Sequence, residues 1–274
     1  MGKDKTNKYE LLGTLGMGGF GNVYKAVSDD GSLVAIKELN PYLLDSPSVI
    51  EKFFHEAGIL SKLNHQNICR LIDFFSENSS YIIVMEFIDG VDLKGLMYQV
   101  PDNRLPFKHA INIASQCLEA FQYAYEEGVL HSDIKPANIM IDKNGKSIIT
   151  DFGTAMIIDY ASQFQITRIL TPAYSPPERF NQAEKVDIRS DIYSLGMVFY
   201  ELFTGKKPFD TTIRSEIESW HRNEMPVPVS RLNSSIPHKI TAAINTALEK
   251  KQEYRFKDFL EFRNAMGFED YNEI

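Results

Sequence analysis

Val129-Leu130-His131-Ser132-Asp133-Ile134-Lys135-Pro136-Ala137-Asn138-Ile139-Met140-Ile141-Asp142-Lys143-Asn144-Gly145-Lys146-Ser147-Ile148-Ile149-Thr150-Asp151-Phe152-Gly153 is the stretch on which the fold turns. Asn144-Gly145 between two apolar runs is a strong two-residue hairpin signal. With those two residues as the turn, Lys143 faces Lys146, Ile141 faces Ile148, Ile139 faces Thr150, and Asn138 faces Asp151. This register predicts a carboxamide beside a carboxylate, about 5 Å apart between α-carbons. Two hard oxygen ligands suit Mg²⁺. Asp133 can accept or orient the proton of an incoming hydroxyl, and Lys135 can neutralise a migrating phosphoryl group. Turn capping would explain each polar residue singly, but not their joint register.

Upstream, Gly16-Met17-Gly18-Gly19-Phe20-Gly21 spaces its glycines so that backbone can approach phosphates without a side chain intervening. Strand-like Val23–Val27 follows it, which argues for a hairpin lid and against a strand-turn-helix dinucleotide fingerprint. Asp30-Gly31 then joins this strand to Leu33–Leu39. Val34-Ala35-Ile36-Lys37 places a lysine at the end of an apolar strand, where an ammonium needs anions around it. Phosphates would serve, together with a carboxylate from the next helix. That helix has Ser46 as cap, Pro47 in its first turn, and Ile50, Phe53, Phe54, Ala57, Leu60 and Leu63 at helical spacing. Glu56 sits between its apolar positions, whereas Glu51 lies too near the helix start.

The texture changes at about residue 91. Ile111, Ala114, Leu118, Phe121 and Tyr125 are expected on one helix face, and an apolar helix runs from Ile192 to Phe203 and ends at Gly205. A mainly β first part and a mainly α second part, with no linker or repeat, are expected to meet along a cleft. Composition agrees with a globular chain: 274 residues, 43% hydrophobic and 24% charged. Lys+Arg 29 against Asp+Glu 37 gives a net charge of −8, which argues against wrapping by nucleic acid or an anionic membrane. Cys69 and Cys117 form neither a zinc nor a disulfide pattern, so a reducing, cytoplasmic setting is expected. No apolar run reaches the length of about 18 residues of a membrane span. The start, MGKDKTNKYE, is polar and lacks a secretory pattern. Gly2 and Thr6 match the loose myristoylation pattern, against which a plain solvated leader is the preferred reading.

The ordered coincidence of the Gly-rich loop, Val34–Lys37, Glu56, His131–Asn138 and Asp151–Gly153 resembles a eukaryotic-type (Hanks-type) protein kinase catalytic domain over about residues 9 to 265. The resemblance implies an α+β, bilobal fold: an N-lobe of small antiparallel sheet plus one main helix over about 9–86, a hinge at about 86–91, and a larger helical C-lobe over about 92–265. Residues 1–8 would be a leader and 266–274 a tail. It implies ATP with Mg²⁺, Mn²⁺ being an alternative ion, and a protein substrate. Nucleotide contacts would come from Leu15, Gly16, Gly18, Gly21, Val23, Ala35, Lys37 and Glu56, from Met85 behind the adenine, from the backbone of Glu86 and Ile88, and from Asp92 at the ribose. Asn138 and Asp151 would hold the metal. Asp133 and Lys135 would be catalytic with Thr171, which would hydrogen-bond them as in the serine/threonine branch. Ser/Thr specificity follows from Lys135-Pro136-Ala137-Asn138 and Thr171.

By the same resemblance, Glu178 of Ser175-Pro176-Pro177-Glu178 would pair with Arg255, Asp191–Gly196 would open the central C-lobe helix, and Leu60, Leu71, His131 and Phe152 would stack as an apolar column. One departure has mechanistic weight. Ser132 stands where many members carry the arginine that pairs with a phosphorylated activation loop, so activity that depends little on phosphate at Thr167 or Ser162 is expected. The rival readings are a pseudokinase-like nucleotide-binding scaffold, whose usual mark is loss of a residue equivalent to Lys37, Asp133 or Asp151, and a small-molecule kinase, which tends to lack the Pro-Pro-Glu and Asp191–Gly196 elements.

Overall fold

A computed structural model describes residues 8–18, 21–43, 45, 47–77, 80–152, 172–180 and 186–271. The side chains of Ser48, Lys52, His55 and Glu56 lie outside that description, as do Ser46, Gly153 and Thr171. The chain divides into two compact units, with the change at Asp89/Gly90.

The first unit is a five-stranded antiparallel sheet of β1 (Tyr9–Met17), β2 (Gly21–Ser28), β3 (Leu33–Leu39), β4 (Leu71–Glu77) and β5 (Ser80–Glu86), in the order β1-β2-β3-β5-β4. Helix α1 (Pro47–Leu60) interrupts it between β3 and β4. The expected apolar repeat of α1 is its packing face: Phe53, Ala57, Leu60 and, just beyond, Leu63 are buried. Leu39, Leu43, Val49, Phe53, Ala57 and Ile83 form one core cluster, with Met85 packed against it. The alternation of a strand sends Ala26, Val34, Ile36, Phe75, Ile82 and Val84 into a separate cluster.

The second unit opens with a small sheet in the order β6-β7-β8, from β6 (Gly90–Asp92), β7 (Ile139–Asp142) and β8 (Ser147–Ile149). Its helices are α2 (Leu93–Tyr98), α3 (Phe107–Glu126), α4 (Ile188–Thr204), α5 (Arg214–Asn223), α6 (Val229–Leu232), α7 (His238–Ala247) and α8 (Phe259–Met266). Helix α4 is buried almost all round, as suits a helix with no polar face at the centre of a core. It begins at Ile188, earlier than the apolar run beginning at Ile192 suggested, because Asp187 and Ser190 form a capping box ahead of that run. Gly205 ends it in the left-handed conformation, as expected.

Two expectations are corrected. Tyr125 is 39% exposed, and the smaller Ala124 takes the buried place in the last turn of α3. The β7–β8 register is shifted by one residue: Ile139 pairs with Ile149, Met140 with Ile148, and Ile141 with Ser147. Asn138 therefore does not face Asp151. It faces Thr150, whose N–H donates to the Asn138 carbonyl at 2.9 Å. The cause is a three-residue loop, Lys143-Asn144-Gly145. Asp142 Oδ1 accepts from the N–H groups of Asn144 (2.8 Å) and Lys146 (2.9 Å), and Asp142 N–H donates to the Lys146 carbonyl at 3.0 Å. A two-residue type I′ turn would need positive φ at both Asn144 and Gly145, and only Gly145 has it, at +80°. The β2–β3 hairpin closes in the same way, with Ser28 bonded to Ser32 and Gly31 at φ +85°.

Candidate active site

The loop from His131 to Asn138 is held from below by one buried carboxylate. Asp191, in the first turn of α4, accepts the N–H of His131 at 2.7 Å and of Ser132 at 2.9 Å. This double anchor keeps Ser132 at φ +65°, a left-handed conformation that a residue with a Cβ adopts at a cost of roughly 1–2 kcal/mol. Burial pushes the Asp191 carboxyl up, against the lowering pull of its donors and of nearby His131 and Arg179. His131 Nδ1 accepts the Asp133 N–H at 3.2 Å, which fixes the proton on Nε2, and that nitrogen donates to the Thr150 carbonyl at 2.9 Å. The His131 ring lies 4.7 Å from that of Phe152, and Phe121 touches both. These contacts join the loop to the segment that carries Asp151.

Asp133 divides its carboxylate. Oδ2 accepts from Lys135 Nζ at 2.6 Å and from Asn138 Nδ2 at 3.3 Å, while among the described residues Oδ1 accepts nothing. Asn138 Nδ2 also donates to the Asp133 carbonyl at 2.9 Å. Both partners are acceptors, so the amide cannot be flipped, and its Oδ1 is the atom left for a cation. Asp151, one residue beyond Thr150, sits at φ +58°. Asp adopts this left-handed region more readily than most residues with a Cβ. Among the described residues no group of three or more His, Cys, Asp or Glu assembles as a metal cage. The Asn138 amide oxygen and the Asp151 carboxylate are hard oxygen donors, the kind Mg²⁺ takes with phosphate and water completing its shell.

On the first unit, Lys37 is buried at the end of β3, opposite Val23 of β2 and Ile83 of β5. Ala35 lies two residues back on the same face, opposite Met85. Val23, Ala35, Lys37 and Met85 thus share the sheet face that α1 covers at its Leu39–Ile83 end. The Gly-rich segment is a β1–β2 hairpin, as expected, with Gly16 opposite Val23 and Gly18 N–H bonded to the Gly21 carbonyl at 3.0 Å. A Cβ on Gly16 would meet nothing within 4 Å, and one on Gly18 only the Gly21 carbonyl at 3.5 Å, which leaves room for a ligand beside the backbone. Gly21 differs: its Cβ would lie 2.1 Å from the Glu38 carbonyl, so close packing against β3 already demands glycine there. Leu15 is exposed at a β1 irregularity. Glu86 and Ile88 are half-buried at and just after the end of β5. Asp92, in the second unit, caps α2 by accepting the Gly95 N–H at 2.8 Å, a role that sequence reading missed.

Glu178 and Arg255 pair as expected, fully buried, at 2.8 and 3.0 Å. The remaining guanidinium donors reach the carbonyls of Glu249, Arg189 and Lys250, so all five N–H groups are used. Asp191 is the functional support that the sequence did not reveal. Its signal was only a helix-start match, and the loop it anchors lies 60 residues earlier. Thr171, Gly153, Thr167, Ser162 and the Glu56 side chain lie outside the described residues, so their expected roles carry no geometry.

An antiparallel sheet with one helix, followed by a helical unit built on a buried central helix, is the α+β fold of kinases. The kinase domain of PknI from Mycobacterium tuberculosis superposes with a TM-score of 0.74 at 24% identity, over 95% of this chain and 94% of that one. The protein kinase domain family model matches residues 9–262, and the chain belongs to that family. The serine/threonine-protein kinase PrkC of Bacillus subtilis is 35% identical over 263 residues, which are 94% of this chain and 40% of that protein. The serine/threonine-protein kinase PknB of Mycobacterium leprae is 34% identical over 267 residues, 94% of this chain and 42% of that protein. This chain thus spans about two fifths of the length of the curated relatives it matches.

Proposed function

We propose that this domain transfers the γ-phosphate of Mg-ATP to Ser or Thr hydroxyls of protein substrates. The observation that carries the reading is the Asp133 carboxylate, with one oxygen tied to Lys135 and Asn138 and the other open, in a loop pinned by Asp191. Relatives that carry the serine/threonine-protein kinase name support the choice of acceptor. Bound Mg-ATP supplies the transferable phosphoryl group and the cation that spreads its charge. Asp133 Oδ1 orients the acceptor hydroxyl and takes its proton. Lys135 neutralises charge beside Asp133, and Thr171 bonds both. Asn138 Oδ1 and the Asp151 carboxylate are the metal ligands. The backbone at Gly16, Gly18 and Gly21 receives phosphates, with Lys37 paired to Glu56 alongside. Leu15, Val23, Ala35 and Met85 enclose the adenine, the Glu86 and Ile88 backbone reads its edge, and Asp92 meets the ribose. The domain is assigned to residues 9–265, with the change of lobe at 86–91.

Ser132 removes the usual partner of a loop phosphate, so turnover depends little on activation-loop phosphorylation. Phosphatase-treated protein should retain peptide turnover; its abolition contradicts this point. A scaffold that only binds nucleotide is disfavoured because Lys37, Asp133 and Asp151 are all kept. Phosphoamino-acid analysis after incubation with γ-labelled ATP, Mg²⁺ and a generic basic protein tests the function. Phosphoserine and phosphothreonine are expected. Mainly phosphotyrosine, or Mg²⁺-dependent nucleotide binding without incorporation, would overturn the assignment.

A further inference from the structure

The face of the five-stranded sheet that α1 leaves open is closed in part by its own edges. β1 and β4 stand at opposite ends of the strand order, yet the Tyr9 ring of β1 stacks on Phe75 of β4, with centroids 6.3 Å apart and planes 10° from parallel. The sheet curls to bring these rings together, and beside them it forms a pocket of about 230 Å³. Buried Ile36, Phe75 and Ile82 give the pocket an apolar lining, to which Tyr24, opposite Ile36, adds a second tyrosine. Two half-buried carboxylates stand among these groups. Glu38 lies two residues beyond Ile36 on the same face, opposite Ile82, and Glu77 lies two beyond Phe75, opposite Ser80. The Ser80 hydroxyl donates to Glu38 Oε1 at 2.7 Å, and among the described residues it is the only hydrogen-bond donor to that side chain.

A carboxylate half withdrawn from water onto apolar surface gains from a cation. The sheet supplies none on this face, because the only basic residues of its five strands, Lys25 and Lys37, pair with Ala35 and Val23 on the opposite one. Burial raises the Tyr9 phenol, and the charges of Asp73, Asp30 and Asp29 raise it further, so the field around this face is negative beyond the two glutamates. The volume is below the roughly 300–1,000 Å³ of pockets that enclose whole small molecules, and suits a single side chain. Aromatic faces attract cations, and a planar guanidinium can lie on a ring while its fork of N–H donors reaches carboxylates.

We propose that this pocket binds an arginine side chain of a basic partner protein, with the guanidinium against the aromatic lining and its N–H groups donated to Glu38 and Glu77. The net charge of −8 favours the approach of such a partner. The pocket lies wholly within the first unit and shares no residue with those assigned to phosphate transfer, so the inference goes beyond the kinase reading.

Titration of the full, isotope-labelled chain with acetyl-Gly-Arg-Gly-amide, followed through its amide resonances, tests this against the citrulline and lysine counterparts of the peptide. The arginine peptide should saturate with a dissociation constant of about 1 mM or below and shift the amides of Tyr24, Glu38 and Glu77. Citrulline has nearly the same shape without the charge and should bind at least about 10-fold more weakly, and lysine, which has no fork, about 3-fold or more. Glu38→Gln keeps an oxygen for Ser80 and should weaken arginine binding about 3- to 10-fold. Tyr24→Leu should weaken it about 3-fold. The comparison of peptides on the wild-type chain decides the matter if a variant does not fold. No saturable shift, shifts spread over the acidic surface at large, equal binding of the citrulline or lysine peptide, or a Glu38→Gln variant that binds as the wild type does would overturn the proposal. So would self-association in sedimentation that protects these amides, since a second copy would then fill the pocket.

Discussion

Asp133, Lys135 and Asn138 hold one another through a short chain of hydrogen bonds. Lys135 Nζ and Asn138 Nδ2 both bond Asp133, and among the described residues one oxygen on Asp133 and one on Asn138 accept nothing. Lys37→Met should lower turnover by about 10²-fold through lost phosphate alignment, measured by steady-state kinetics at saturating ATP. Gly145→Ala places a Cβ in open space but at φ +80°, so it should cost roughly 1 kcal/mol of strain alone, read from urea denaturation. At this scale the sequence was informative about identity and less so about register. The order of Lys37, Asp133, Asn138 and Asp151 along the chain was legible as the pattern of the family to which the chain belongs. The one-residue shift was not, because it depends on Asp142 bonding two N–H groups inside the loop, which makes Asn144-Gly145 part of a three-residue turn.

Buried polar clusters set the behaviour of the helices. His221 in α5 sits among the rings of Phe180, Phe209 and Trp220, with Nδ1 2.8 Å from the Tyr193 hydroxyl. Lys250 donates to that hydroxyl at 3.2 Å, so the Tyr193 proton is directed to Nδ1 and the imidazole stays neutral. Burial, aided by the Lys250 charge, lowers His221 from 6.5 to about 3. The unfolded chain takes up a proton near pH 6.5 that the native state refuses until about 3, so this stabilisation is complete above 6.5 and declines as pH falls. Between pH 6.5 and 5 it should amount to about 2 kcal/mol, seen as a steeper loss of Tm in wild type than in His221→Gln. The Glu178–Arg255 pair acts in a lower window. Burial alone would raise the Glu178 carboxyl, and the Arg255 bonds and charge more than reverse that, so its contribution is present above the ordinary carboxylate value and lost as pH drops below it. Arg255→Met leaves a buried charge unpaired and should destabilise by about 3–5 kcal/mol in chemical denaturation. Pairing of 178 with 255 was legible from motif order. The burial of Ala124 in place of Tyr125 was not, because helical spacing permits either residue and packing decides.

The whole chain is acidic, and among its described residues no helix is long and apolar enough to cross a membrane. Its two units were legible as a change from strand to helix texture near residue 91, and they part at Asp89/Gly90. The small sheet that opens the second unit includes β6, whose three residues are too short for a periodic signal. Mg-ATP at 100 times its dissociation constant should stabilise the folded chain by about 2.7 kcal/mol, and Asp151→Asn should remove the Mg²⁺-dependent part of that thermal shift. The central claim is that Asp133 acts on the acceptor hydroxyl and not on the nucleotide. Its most direct test is to measure Mg-ATP affinity and phosphate transfer side by side in wild type and Asp133→Asn. The account predicts affinity within about 3-fold and turnover lowered by about 10²- to 10⁴-fold. Turnover unchanged in the variant, or lost only in proportion to weakened nucleotide binding, would contradict it.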